Sequence, residues 1–199
     1  MQCSYCLFDG PDLVPSNEAT KKRIESLMLD NYDFQHRSVL DIGSNSGLIS
    51  LILASKMGAN VFAIDVQETM VLGLKKFISD HNIKSIETSC FNFMDLDNSR
   101  SYDFVFFLEV LHWAVHQGHK IDAVLMKVAS LTRGTLFIEF PWDANEPAII
   151  NQTQLKESDY SSYDIFRVLT SYFSEVRILG FQTYFDDPRS KRALVVCKK

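Results

Sequence analysis

The segment Val39-Leu40-Asp41-Ile42-Gly43-Ser44-Asn45-Ser46-Gly47-Leu48 constrains this chain more than any other. A short apolar run passes into a glycine-bearing turn, and a helix-like run starts at once. Gly43 permits a backbone conformation closed to most residues and lets the chain approach a ligand with no Cβ in the way. Gly47 lets the helix begin close to the strand. A strand, tight turn and helix in this order open a βαβ unit, and open α/β sheets bind ligands at the carboxyl ends of their strands. The turn is expected to present free backbone N–H groups at that edge.

The rest of the chain repeats the alternation. Strand-like runs are expected at 38–42, 60–65, 86–91, 104–110 and 134–140. Helical periodicity fills 16–30, 47–56, 68–81, 120–131 and 158–173. Phe104 to Val110 is almost unbroken apolar sequence, as a parallel strand buried on both faces requires. Two last strands, 175–183 and 192–198, are joined through Asp186-Asp187-Pro188, a turn-forming stretch. Five β/α units followed by a hairpin predict a doubly wound, mostly parallel α/β sheet of seven strands, Rossmann-like, with an antiparallel C-terminal hairpin.

Composition narrows the function. With 199 residues, 46% of them hydrophobic, one domain with a proper core is expected. The net charge is −5 and basic runs are short, which disfavours a nucleic-acid partner. No run reaches the roughly 20 apolar residues of a membrane span. The N-terminus shows no basic-then-apolar leader pattern, so a cytoplasmic location is expected. Cys3 and Cys6 make half a zinc site with no second half, and read as exposed thiols at a frayed end. Cys90 and Cys197 read as buried free thiols.

The turn at 43–47 has the form GxNxG. The dinucleotide fingerprint GxGxxG lacks a match at its second and third glycines, and no P-loop lysine follows. The segment resembles motif I of the class I (Rossmann-like) S-adenosylmethionine-dependent methyltransferases, an acidic residue, any residue, then Gly-x-Gly-x-Gly. Asp41, Gly43 and Gly47 match, and Asn45 stands for the central glycine. Three further stretches resemble family motifs in the expected order: Ile64-Asp65-Val66, Asn92-Phe93-Met94-Asp95-Leu96, and Tyr102 to Trp113.

The resemblance implies S-adenosyl-L-methionine as cofactor and S-adenosyl-L-homocysteine as product. It implies that Asp41, Gly43, Ser44, Asn45 and Gly47 form the cofactor loop, and that Asp65 takes the ribose hydroxyls beside Val66. Asn92 would meet the adenine amino group through its amide oxygen. Phe93 either packs on the adenine or belongs to the core. Leu108 and Glu109 would face the methionine part.

His112, just past the fourth strand, is the candidate base, since histidine titrates near neutral pH. The alternative is a histidine that only hydrogen-bonds the strand edge or the acceptor. Glu139, ending the fifth strand, would orient the acceptor or the base. Trp113, Trp142 and Tyr160 are candidates to hold the acceptor, with ordinary core or rim packing as the plain reading for the tryptophans. Glu109, His112 and Glu139 invite a metal, but the ligand spacing is incomplete and none is expected.

Residues 1–35 are read as a helical cap, 36–140 as the cofactor core, 141–165 as an acceptor-site insertion, and 166–199 as the end of a helix and the terminal hairpin. The expected function is methylation of a small-molecule acceptor. Oxygen is favoured, because strand four lacks the Asn/Asp-Pro-Pro-aromatic tetrapeptide of enzymes that methylate planar nitrogens. An RNA-modifying enzyme, a non-catalytic methyltransferase-like subunit and a nicotinamide dehydrogenase are the alternatives. The sequence leaves the oligomeric state open.

Overall fold

Apolar runs punctuated by polar turns become strands that are buried because helices or further strands cover them. The structure, a computed structural model, describes residues 6–9, 12–15, 18–143, 160–183 and 190–199. The chain divides into two compact units, Met1–Leu96 and Asp97–Lys199.

The first unit opens with an antiparallel hairpin, β1 (Cys6–Asp9) and β2 (Asp12–Pro15), followed by helix α1 (Glu18–Ser26). The hairpin was not legible in the sequence, and the helix expected over 16–30 is shorter. Met28, beyond its end, has a left-handed φ of 48°, which a helix cannot continue through. Next come β3 (Ser38–Ile42), α2 (Leu48–Met57), β4 (Asn60–Asp65), α3 (Glu68–Asp80) and β5 (Ile86–Cys90). These three strands pair in parallel, with Ile42 opposite Ile64 and Asp65 opposite Cys90.

Helix α2 is apolar almost all round and buries Leu48, Leu51, Ile52, Leu53 and Ala54, the pattern of a helix inside a fold. Helix α3 is amphipathic and buries only Val71 and Leu74. Each such side chain, fully buried, contributes about 1.5–3 kcal/mol.

The second unit contains β6 (Tyr102–Leu108), α4 (Leu111–His116), α5 (Ile121–Leu131), β7 (Thr132–Pro141), α6 (Ser162–Tyr172), β8 (Glu175–Thr183) and β9 (Lys191–Lys198). Strands β6 and β7 are parallel, and β9 runs antiparallel to both β7 and β8. Phe104 to Leu108 of β6 and Arg192 to Cys197 of β9 are buried without a break. Strand β8 exposes Ile178 and Phe181.

By hydrogen-bonded neighbours the larger sheet runs β5-β4-β3-β6-β7-β9-β8, a seven-stranded mixed sheet. The expected α/β class with its antiparallel terminal pair is what the chain adopts. The short helix α4 was not expected. The thiol of Cys90 is exposed rather than buried, because the residue ends β5, where the alternation places its side chain outside the core. Cys197, inside β9, is buried as expected, and burial pushes its thiol up to about 12. Cys3, the turn at 186–188 and most of the 141–165 insertion lie outside the described residues. No helix among the described residues is long and apolar enough to cross a membrane.

Candidate functional site

In the first unit the candidate residues gather at the ends of β3, β4 and β5. Gly43, Asn45 and Gly47 have φ of 71°, 50° and 85°, so every second residue of the turn is left-handed. Asparagine tolerates that region better than most residues, which explains how Asn45 replaces a glycine. Its side-chain oxygen accepts from the N–H of Ser46 at 2.7 Å. A Cβ at Gly47 would lie 2.4 Å from the Leu74 side chain, so α3 packs where only glycine fits.

The N–H groups of the turn are spent internally, contrary to expectation. Gly43 and Ser44 both donate to the carbonyl of Ile64, at 2.9 and 3.0 Å. Asn45 donates to Asp65 Oδ2 at 2.8 Å, and Gly47 to the Ser44 carbonyl at 2.8 Å. Together with Ser46, all five donors from 43 to 47 have partners. The tight succession of left-handed residues folds the turn back on its neighbouring strand, so no cradle of open N–H groups remains.

Asp65 is 7% exposed and ties the turn to β4. Its Oδ1 accepts from the N–H of Gln67 at 2.8 Å. Each carboxylate oxygen keeps accepting capacity after one such bond, so the group can still take hydroxyl donors. Asp41 is buried and accepts from the Ser50 hydroxyl of α2 at 2.6 Å. Burial, aided by the nearby charge of Asp65 and opposed by the Ser50 bond, raises its carboxyl to about 6. The buried hydroxyl of Ser44 has no hydrogen-bond partner.

The third strand end differs from expectation in detail. The Asn92 oxygen already accepts from the Met94 N–H at 3.1 Å, capping the turn at 93–95. Phe93 is buried. Phe91, which the sequence reading passed over, is exposed, as is Val66. The Phe91 N–H donates to the Asp65 carbonyl at 3.0 Å, and the Cys90 thiol approaches the Val66 carbonyl at 3.5 Å, so these apolar side chains belong to adjacent strand ends. The signal for Phe91 was available: it is the first residue past β5.

In the second unit, β6 ends at Leu108, which is buried and paired with Glu139 of β7. The Glu109 N–H continues that pairing to the Glu139 carbonyl at 3.2 Å. Glu109 has a φ of 65°, unusual for a non-glycine residue and common at functional positions. Its carboxylate pairs with Arg192, the second residue of β9, which is 5% exposed. Arg192 reaches this place because it is level with Pro141 in the β7–β9 register. Glu139 is fully buried. Buried charge is tolerated only when paired. Arg192 was missed because a basic residue opening an apolar strand looks like an ordinary exposed start.

His112 lies on α4 and is 2% exposed. Burial lowers its pKa to about 4, so at neutral pH the ring is uncharged, not titrating as expected. Its Nδ1 and the Glu109 Oε1 are both buried and lack hydrogen-bond partners. Trp113 is exposed beside His112 and His116, with ring centroids at 5.3 and 6.2 Å. Trp142 is half-buried and belongs to a different cluster, with Phe166 at 6.0 Å and Phe181 at 5.1 Å. Tyr160 is buried.

A family model described as a methyltransferase domain matches residues 39–134. A ribosomal protein L11 methyltransferase of Clostridium perfringens is 33% identical over 86 residues, covering 43% of this chain and 26% of the relative. The chain thus matches about a quarter of that relative's length. Among solved structures, magnesium protoporphyrin IX methyltransferase from Synechocystis PCC 6803, with S-adenosylmethionine bound, superposes with a TM-score of 0.69 at 18% identity, over 96% of this chain and 86% of that one. The N-terminal domain of EvdMO1, with S-adenosylhomocysteine and D-fucose, gives 0.70 at 14% identity, over 98% and 90%. Residues 39–134 thus match a methyltransferase domain, and the chain shares its fold over nearly its whole length with S-adenosylmethionine-dependent methyltransferases of known structure.

Proposed function

We propose that this chain methylates the hydroxyl of a small-molecule acceptor, with S-adenosylmethionine as donor. The observation that carries the donor is the turn at 43–47. Its N–H groups are bonded within the unit, and an acidic residue, Asp65, ends the next strand. A dinucleotide needs open N–H groups for its pyrophosphate. A nucleoside cofactor without phosphate does not, and needs the acid for its ribose.

Asp65 would hold the ribose hydroxyls, and Val66 and Phe91 offer apolar surface for a purine. Asn92 keeps its amide N–H groups for the purine edge. Leu108 and Glu109 retain the role that the family resemblance gives them, toward the methionine part. Bound S-adenosylmethionine supplies an electrophilic methyl and its own leaving group.

The chain's residues must orient the acceptor and exclude water. His112 is uncharged and its buried Nδ1 has no partner among the described residues, so it can accept a hydrogen bond from an acceptor hydroxyl, and it serves as the base only where the bound cofactor or acceptor offsets the burial that lowers its pKa. Glu139 orients the acceptor or the base, and Trp113, Trp142 and Tyr160 bound the acceptor. The reading includes a cytoplasmic location.

A protein acceptor is the second reading, favoured by the name of the Clostridium perfringens relative.

Calorimetry with S-adenosylmethionine, S-adenosylhomocysteine and NAD tests the donor. Micromolar binding of the first two and none of NAD supports it; binding of NAD alone overturns it. With an acceptor in hand, His112→Ala should keep cofactor affinity and lower kcat at least tenfold. An unchanged kcat removes His112 from the chemistry.

A further inference from the structure

The aromatic cluster around Trp142, which the reading above sets beside the acceptor, has a geometry that points to one kind of ligand. The rings of Trp142 and Phe181 stand at 88° to one another with centroids 5.1 Å apart, so they form two walls of a corner. Phe166 stands on Trp142 at 6.0 Å and 68°, and Phe140 backs Phe166 at 5.9 Å. The corner opens outward, because Phe181 is 41% exposed on the strand β8.

Its present occupant is an ammonium group. Lys191 Nζ lies 4.0 Å from the Phe181 centroid and 5.9 Å from the Trp142 centroid. Among the described residues Lys191 has no carboxylate within ion-pair distance, and its ammonium lies against the two aromatic faces. The main chain holds the corner in register, since the Trp142 N–H donates to the Lys191 carbonyl at 2.8 Å. The Lys191 side chain itself is long and tethered only at its Cα.

We propose that Trp142, Phe181 and Phe166 form an aromatic site for a quaternary or methylated ammonium, and that Lys191 fills it as an internal stand-in when no ligand is bound. Aromatic faces attract cations through the ring quadrupole, and cages of this kind recognise quaternary ammonium groups. A lysine ammonium is strongly hydrated. A methylated ammonium is shielded by its methyl groups, so it gives up less hydration on entering the corner and competes with the tethered lysine. Trp142 directly follows β7, the strand that carries Glu139. If the chain is a methyltransferase, a role that rests on the reading above, its acceptor or product carries such a group. The binding site itself does not depend on that reading.

The probe is tetramethylammonium chloride at constant ionic strength, with sodium chloride as control. Fluorescence is read in a Trp113→Phe background, so that the signal comes from Trp142. A saturable change with tetramethylammonium, absent with sodium, is expected. Lys191→Met should tighten binding at least threefold, and Phe181→Ala should weaken it at least tenfold. Circular dichroism establishes that each variant is folded. No saturable response in the parent or in folded Lys191→Met overturns the site, and so does a response that Phe181→Ala leaves unchanged. S-adenosylhomocysteine calorimetry on the same samples separates the two readings. Binding of the nucleoside without tetramethylammonium ends only the aromatic site, and the reverse result ends only the donor assignment.

Discussion

The two units differ in how much their candidate residues leave open. In the first, the backbone donors of the turn and its acids are bonded, with Asn45 and Gln67 donating to Asp65 and Ser50 donating to Asp41, and the Ser44 hydroxyl alone among the turn's candidates is buried without a partner among the described residues. In the second, Glu109 Oε1 and His112 Nδ1 are buried without partners, beside a glutamate–arginine pair. A satisfied network is rigid and preformed. Buried atoms without partners cost free energy that a ligand's donors and acceptors can return. The first unit spends most of its polar capacity on its own turn, and the second leaves more of it open.

Breaking the pair in the second unit should have the largest effect. Arg192→Met leaves the half-buried Glu109 carboxylate without the charge opposite it, a loss of about 3 kcal/mol in unfolding free energy. Urea denaturation checks this. The double variant with Glu109→Gln should recover most of the loss; an equal loss in both would show that Arg192 acts by packing alone.

In the first unit Asp65→Ala should weaken S-adenosylhomocysteine about 100-fold, or about 3 kcal/mol, the worth of hydroxyl bonds to a charged group. Unchanged calorimetric affinity would remove Asp65 from the ribose site.

The two units should also respond oppositely to acid. His112 has its pKa lowered to about 4 in the folded chain, so its stabilising contribution is complete above pH 6.5 and is lost as pH falls through 4. Asp41 has its carboxyl raised to about 6, so the folded chain loses stability as pH rises from 3.8 through 6. Each contribution is about 3 kcal/mol at most, and between pH 4 and 6 they oppose one another. Asp41→Asn should make acid destabilisation steeper, and His112→Gln should reverse its slope. Urea midpoints at pH 4.5, 6 and 7.5 measure both.

The smallest effect is expected at the turn. Asn45→Gly should change stability by no more than about 1 kcal/mol, since relief of left-handed strain is offset by the freedom glycine adds to the unfolded chain. A thermal melt reads it, and a larger loss would mean that the Asn45 side chain, through Ser46, holds the turn.

Legibility followed sequence distance. The turn, Asp65 and the strand ends could be read because glycine spacing, alternation and chain order are local. Asn92 and Phe93 were found as a motif, yet which face of the chain they occupied was not, so the cap at Met94 and the exposed Phe91 came as corrections. Helix α4 is six residues long, too short for periodicity to show.

By itself the sequence determined the α/β alternation, the glycine-bearing turn and the acid that follows it, because each is written in residues within one βαβ unit. Only the tertiary structure decided that Arg192 would meet Glu109, that His112 would be stripped of water and uncharged, and that Lys191 would lie against Phe181 and Trp142. The strand register brings Arg192 to Glu109 across 83 positions of sequence and Lys191 to Trp142 across 49. Burial, which sets the charge of a titratable group, depends on everything packed around it and is carried by no single segment.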